Sequence, residues 1–186
     1  MIGGAFPGVL DTDVCPHLAV LLTSEAEFAP VVASFYALGA ARGGWLVHRA
    51  VEPDGDRRAL TGAGLDVEGL ETERRLTIEA IRLDEPPELL ARRVDPAFAQ
   101  ALDRGLSALW SSHTPVAPDS AAFGYAMKVE RAWEEHFRDR PVVTLCPYVV
   151  GGLDASAALG RLTSLGSDHD GVLVPSDRGL ELFRAD

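Results

Sequence analysis

Apolar runs of strand length recur along the chain, and the segments between them carry helical spacing. HLAVLLT (17–23), WLVHRAV (45–51), LTIEAIRL (76–83), LSALWSS (106–112), VVTLCPY (142–148) and GVLVP (171–175) are the runs in question. Most are near-continuously apolar rather than alternating, which is the pattern of strands covered on both faces. After the first run, Phe28, Val31, Val32, Phe35, Leu38 and Gly39 fall at helical steps. Ser24 and Glu27 have capping-box spacing at the start of that helix, and Gly43-Gly44 ends it after Arg42. Pro53-Asp54-Gly55 reads as a turn before a short helix over 57–63, with Gly64-Leu65-Asp66 as a loop. A further helix reaches Asp103 from Pro87 or from Asp95, where Asp95-Pro96 supplies an N-cap and a first-turn proline. Phe123, Ala126, Met127, Glu130, Trp133 and Phe137 mark one face of a long helix over 119–138, and 154–165 reads as another.

Strands alternating with amphipathic helices predict an α/β three-layer sandwich with a mainly parallel central sheet and right-handed crossovers. The chain of 186 residues, 47% hydrophobic and 24% charged, fits one domain over 17–186. Residues 1–16, rich in glycine and proline, read as an irregular leader. The formal net charge is −11, and Lys128 is the only lysine. Such a surface repels phosphate backbones and anionic lipid, so neither nucleic acid nor membrane is an expected partner. The most apolar long stretch, 28–41, is too short to span a bilayer. With two cysteines far apart and no secretory pattern at the start, the expectation is a reduced, cytoplasmic protein.

The first strand-to-helix junction, LLTSEAEFAP (21–30), contains no glycine and no lysine. A phosphate loop needs both, so Walker-type nucleotide binding is excluded; Gly62-Ala63-Gly64 lacks the third glycine of a dinucleotide turn. In a parallel sheet the ligand crevice lies at the carboxyl ends of the strands, here near Thr23, Arg49, Arg82, Asp84, Ser111 to His113 and Tyr148. The expected ligand set is Thr23, Arg49, Ser112, His113 and Tyr148. Arg49 would balance an anionic group and the hydroxyls would fix orientation. His113 reads either as a ligand-contacting or proton-handling group or as a solvated loop residue. His17 reads as a sheet-edge or core histidine. Cys146 and Tyr148 share one sheet face, with Cys146 as a small buried hydrophobe. A metal site of Cys15, His17 and Cys146 is disfavoured, because Cys15 precedes its strand while Cys146 lies late in another; no metal and no cofactor are expected. Glu134-Glu135 reads as a solvated helix face and Asp168-His169-Asp170 as a polar loop. No G-x-S-x-G elbow is present, so no nucleophile stands out.

His17 opening the first strand, SEAEF, LGAARGGWLV, MKVERAWEEHF and PVVTLCPY together resemble the MEDS family, sensory domains named for methanogen and methylotroph proteins and the regulator DcmR. The resemblance covers roughly residues 15–165 and marks His17, Glu130, Cys146 and Tyr148 as family-motif positions. It implies a RecA/KaiC-like fold without the phosphate loop, and a non-catalytic sensory domain for a small organic molecule. The signal would pass to a kinase, an anti-sigma protein or a transcription regulator, with a homodimer left open. Two other classes stay in view: a small hydrolase or transferase using His113 as base with Asp84 nearby, and a protein–protein adaptor.

Overall fold

A computed structural model of the protein describes residues 17–82, 85–117, 120, 122–151, 165, 168–176 and 179–184. Its elements in chain order are β1 (His17–Leu22), a 3-10 turn (Glu25–Glu27), α1 (Phe28–Ala41), β2 (Trp45–Ala50), α2 (Pro53–Gly62), α3 (Val67–Thr72), β3 (Leu76–Ala80), α4 (Pro87–Asp103), β4 (Leu109–His113), α5 (Phe123–Phe137), β5 (Val142–Val149), β6 (Gly171–Ser176) and β7 (Gly179–Phe183). They form an α/β three-layer sandwich, as the alternation predicts. The seven described strands make one sheet in the order β3-β2-β4-β5-β1-β6-β7. All neighbours are parallel except the β6–β7 hairpin.

Helices α1, α2 and α3 cover one face, where Leu18, Val20, Leu46, Trp110 and Leu145 meet Val32, Phe35, Tyr36, Leu60 and Leu70. Helices α4 and α5 cover the other, where Trp45, Val47 and Leu109 meet Phe98, Trp133 and Phe137. Farther along that second face, Ala19, Leu21, Cys146, Tyr148 and Val172 pack against Phe123 and Met127. The turn into β2 depends on close approach: a Cβ on Gly44 would lie 2.4 Å from Trp110 Cδ1. Gly43, at φ 75°, takes the left-handed conformation that ends α1.

Four local expectations differ from the structure. Ser24 makes no side-chain cap. Instead Glu27 reaches back, its carboxylate accepting from the Thr23 N–H at 2.6 Å and from the Thr23 hydroxyl at 2.7 Å. Pro53 is not in a turn but at the start of α2, where its missing N–H costs nothing. Of the two starts expected for α4, the Pro87 start is the one found and the Asp95-Pro96 start is not, because the helix continues through Pro96 and buries Leu90, Ala91, Val94, Phe98 and Ala101 as one continuous face. Asp95 is engaged elsewhere, by His136 at 2.6 Å and by Arg140. The short α3 and strand β7 were not anticipated; α3 is capped by Asp66, whose carboxylate accepts from the Gly69 N–H at 3.0 Å. The expected leader over 1–16, with Cys15, the helix over 154–165 for all but Leu165, and Asp84 lie outside the described residues.

A ligand cavity and a histidine–glutamate cluster

Side chains alternate along β2, β4 and β5, so Arg49, Ser111, His113, Thr144, Cys146 and Tyr148 all leave the sheet on the side that α5 covers. Helix α5 answers with Glu130 and Trp133, three residues apart and both buried. Toward the carboxyl ends of β2 and β4 the two layers separate around a cavity of about 280 Å³. Its walls are mostly apolar, including Ile81, Leu90, Val116 and Val129, while Glu25, Arg49, His113, Thr114, Glu130 and Thr144 are among its polar residues.

Arg49 is only 3% exposed. Its Nη2 donates to Ser111 Oγ at 3.0 Å, and its guanidinium lies 4.0 Å from the centroid of the Trp133 ring. Trp133 is fixed in turn, its Nε1–H donating to Thr144 Oγ1 at 3.1 Å. Arg49 Nε and Nη1 have no hydrogen-bond partner among the described residues. Burial pulls the pKa of Arg49 below its ordinary value, opposed by Cys146 and Glu79. An arginine nevertheless keeps its proton, so a cation with free donors lies beside an apolar cavity.

Glu130 is the second centre. Tyr148 donates its hydroxyl to Glu130 Oε1 at 2.5 Å. His113 Nε2 lies 3.4 Å from Oε1 and His169 Nε2 lies 3.3 Å from Oε2. These are charge-pair distances, but His113 Nε2, His169 Nε2 and Glu130 Oε2 all lack a hydrogen-bond partner among the described residues. The opposite ring nitrogens are occupied: His113 Nδ1 meets Thr114 O at 2.7 Å and His169 Nδ1 meets Leu165 O at 2.8 Å. Burial would raise the pKa of Glu130, yet the two histidines outweigh it and hold the carboxyl well below its usual range. Burial would lower that of His169, and Glu130 outweighs it so that the net shift is upward. Burial, reinforced by Glu130, pushes the Cys146 thiol and the Tyr148 phenol up.

His17 adjoins this centre. Its Nε2 lies 3.3 Å from Cys146 Sγ, its ring centroid lies 4.2 Å from that of His169, and its Nδ1 lies 3.9 Å from Glu134 Oε2. Its backbone N–H donates to Asp170 Oδ2 at 2.8 Å. The separation expected between Cys15 and Cys146 concerns a residue outside the described ones, whereas His17 reaches Cys146 directly. Strands β1 and β5 are direct neighbours, with Ala19 opposite Cys146, so the His17 imidazole spans the remaining two-residue step.

Of the expected ligand residues, Arg49 and His113 line the cavity. Thr23 is exposed at the β1–α1 junction, where Glu27 takes both its N–H and its hydroxyl; a carboxylate of the chain itself occupies the donors a phosphate would use. Ser112 points to the opposite face, toward Tyr36, and the neighbouring Ser111 meets Arg49 instead. Tyr148 does not line the cavity and acts through Glu130. The family-motif positions His17, Glu130, Cys146 and Tyr148 do converge. Sequence reasoning missed His169, buried rather than in a polar loop, and Trp133, whose signal was its three-residue step from Glu130. Glu134, read as purely solvated, faces His17 from a half-exposed position.

A separate polar strap fixes the carboxyl end of β2. His48 Nε2 lies 2.8 Å from Asp56 Oδ2, which also accepts from the Thr114 hydroxyl at 2.6 Å. Thr114 Oγ1 in turn accepts from the Val51 N–H at 3.0 Å. Thr114 lines the cavity, so this strap sets one edge of its mouth.

No protein-family model matches the chain, and no curated protein matches it. Among solved structures it is similar to an uncharacterized protein from Pyrococcus horikoshii, determined in complex with an unknown peptide. That structure has a TM-score of 0.61 and 15% sequence identity, over 92% of this chain and 86% of the other. A likeness at this identity shows the shared fold. Among the described residues no helix is long and apolar enough to cross a membrane.

Proposed function

We propose that this chain is a sensory, ligand-binding module of decayed RecA/KaiC-like fold. It takes up a small organic molecule with an anionic head and an apolar body, and it passes the signal to a separate partner protein in the cytoplasm. The observation that carries this reading is Arg49. Arg49 is buried with Nε and Nη1 lacking a hydrogen-bond partner among the described residues, and a carboxylate in the cavity would offset the charge of its guanidinium. The apolar walls at Ile81, Leu90, Val116 and Val129 would contact the rest of the molecule. A cavity of about 280 Å³ suits a small metabolite rather than a nucleotide.

The resemblance to MEDS domains supports sensing rather than turnover, as does the self-capped β1–α1 junction, which offers no phosphate cradle. A kinase, an anti-sigma protein or a transcription regulator is the kind of partner this reading requires. The test is a thermal-shift screen of small organic acids against their amides and alcohols, on wild type and Arg49→Met. Acids that raise the melting temperature of wild type alone support the proposal. Equal shifts for acids and amides would overturn the role of Arg49. Turnover of ester or phosphate test substrates, lost in His113→Ala, would replace sensing with catalysis.

A further inference from the structure

We propose that His17, Glu130, Cys146 and His169 bind one divalent transition-metal ion, Zn²⁺ by preference, between β1, β5, α5 and the segment entering β6. One ligand atom from each of the four residues falls in a group whose members all lie within 4.8 Å of one another, and all four residues are buried. Tetrahedral zinc, with bonds of about 2.0–2.3 Å to nitrogen, oxygen and sulfur, requires ligand–ligand edges of roughly 3.3–3.6 Å. Two edges are already there: His17 Nε2 to Cys146 Sγ at 3.3 Å and His169 Nε2 to Glu130 Oε2 at 3.3 Å.

Hydrogen-bond polarity points the same way. Leu165 O can only accept, so His169 carries a proton on Nδ1, and in the neutral ring the Nε2 lone pair is directed at Glu130 Oε2, itself an acceptor. Two partnerless acceptors facing each other in a buried site repel unless a cation lies between them. Two of the ligands are also oriented from behind, as metal ligands commonly are: Glu130 through Oε1 by the Tyr148 hydroxyl, and His169 through Nδ1 by Leu165 O. The donor set of two imidazoles, one thiolate and one carboxylate favours zinc over magnesium or calcium, which prefer oxygen alone. Four protein ligands close the shell, the arrangement of a structural rather than a hydrolytic zinc. Uptake moves the Cys146 S–H proton to solvent while the sulfur lone pair binds the ion; no electron is transferred.

The competing account is a metal-free cluster in which His169 is an imidazolium ion paired with Glu130. The two are separated with the full chain, freed of metal by chelation and titrated with Co²⁺. A metal site predicts saturation at one equivalent, with a thiolate-to-cobalt charge-transfer band and visible bands of tetrahedral intensity. Cys146→Ser would abolish the charge-transfer band, and Tyr148→Phe would weaken affinity by about 10- to 100-fold while keeping it. If chelation unfolds the chain, metal content is instead measured on protein as purified: about one ion per chain in wild type, and far less in Cys146→Ala. Folded protein that takes up no cobalt, a band that survives in Cys146→Ser, or protein purified without metal would overturn the proposal.

Discussion

Replacing Arg49 with methionine separates a residue that holds a ligand from one that holds the fold. The guanidinium is buried with Nε and Nη1 lacking a hydrogen-bond partner among the described residues, each such group costing about 1–3 kcal/mol. Against that stand one charged hydrogen bond to Ser111, about 1.5–3 kcal/mol, and the position over Trp133, about 2 kcal/mol when desolvated. These contributions nearly cancel, and methionine fills similar volume without a charge to bury. Arg49→Met is therefore expected to keep the ligand-free stability within about 1 kcal/mol of wild type, or roughly 2–4 °C in melting temperature. Affinity for a carboxylate ligand should meanwhile fall by about 10- to 100-fold. Thermal melts without ligand and calorimetry with an acid found in the screen read the two quantities separately. If Arg49 were instead half of a structural ion pair, removing it would cost about 3–5 kcal/mol, a fall of roughly 10 °C. That result would refute the reasoning.

Three further outcomes are expected. Burial pushes the Asp56 carboxyl up, but hydrogen bonds with His48 and Thr114 outweigh it and hold the folded value below the ordinary one. The resulting stabilisation is present above about pH 4 and lost as pH falls through the lower folded value, so the melting gap between wild type and Asp56→Asn should close in acid as pH falls through that value. Gly44→Ala places a methyl 2.4 Å from Trp110 Cδ1, at a side chain packed among Phe35, Leu46 and the end of α1; urea denaturation should show a loss of about 1–3 kcal/mol. Trp133→Phe removes the donor to Thr144 and leaves that buried hydroxyl unpaired, at a cost of about 1–3 kcal/mol in the same assay. It also weakens the support beneath Arg49, so acid binding should fall as well.

Local pattern along the chain reaches as far as the layer plan. Apolar runs of strand length alternating with helical stripes admit few folds other than a parallel sheet covered on both faces, because each run must bury two faces and each helix one. The polar site was legible only in part. Arg49 and His113 are at strand ends, where the parallel-sheet rule looks, whereas Ser112 fails because a strand sends neighbouring residues to opposite faces and only the register decides which face meets α5. Asp95-Pro96 looked like a helix start because capping chemistry is local, and the continuous buried face of α4 overrode it. The tertiary structure alone decided that His17, Glu130, Cys146 and His169 meet. Their separations run to 152 residues along the chain, yet β1 lies directly between β5 and β6, so the order of strands in the sheet, which no local pattern encodes, converts that distance into contact.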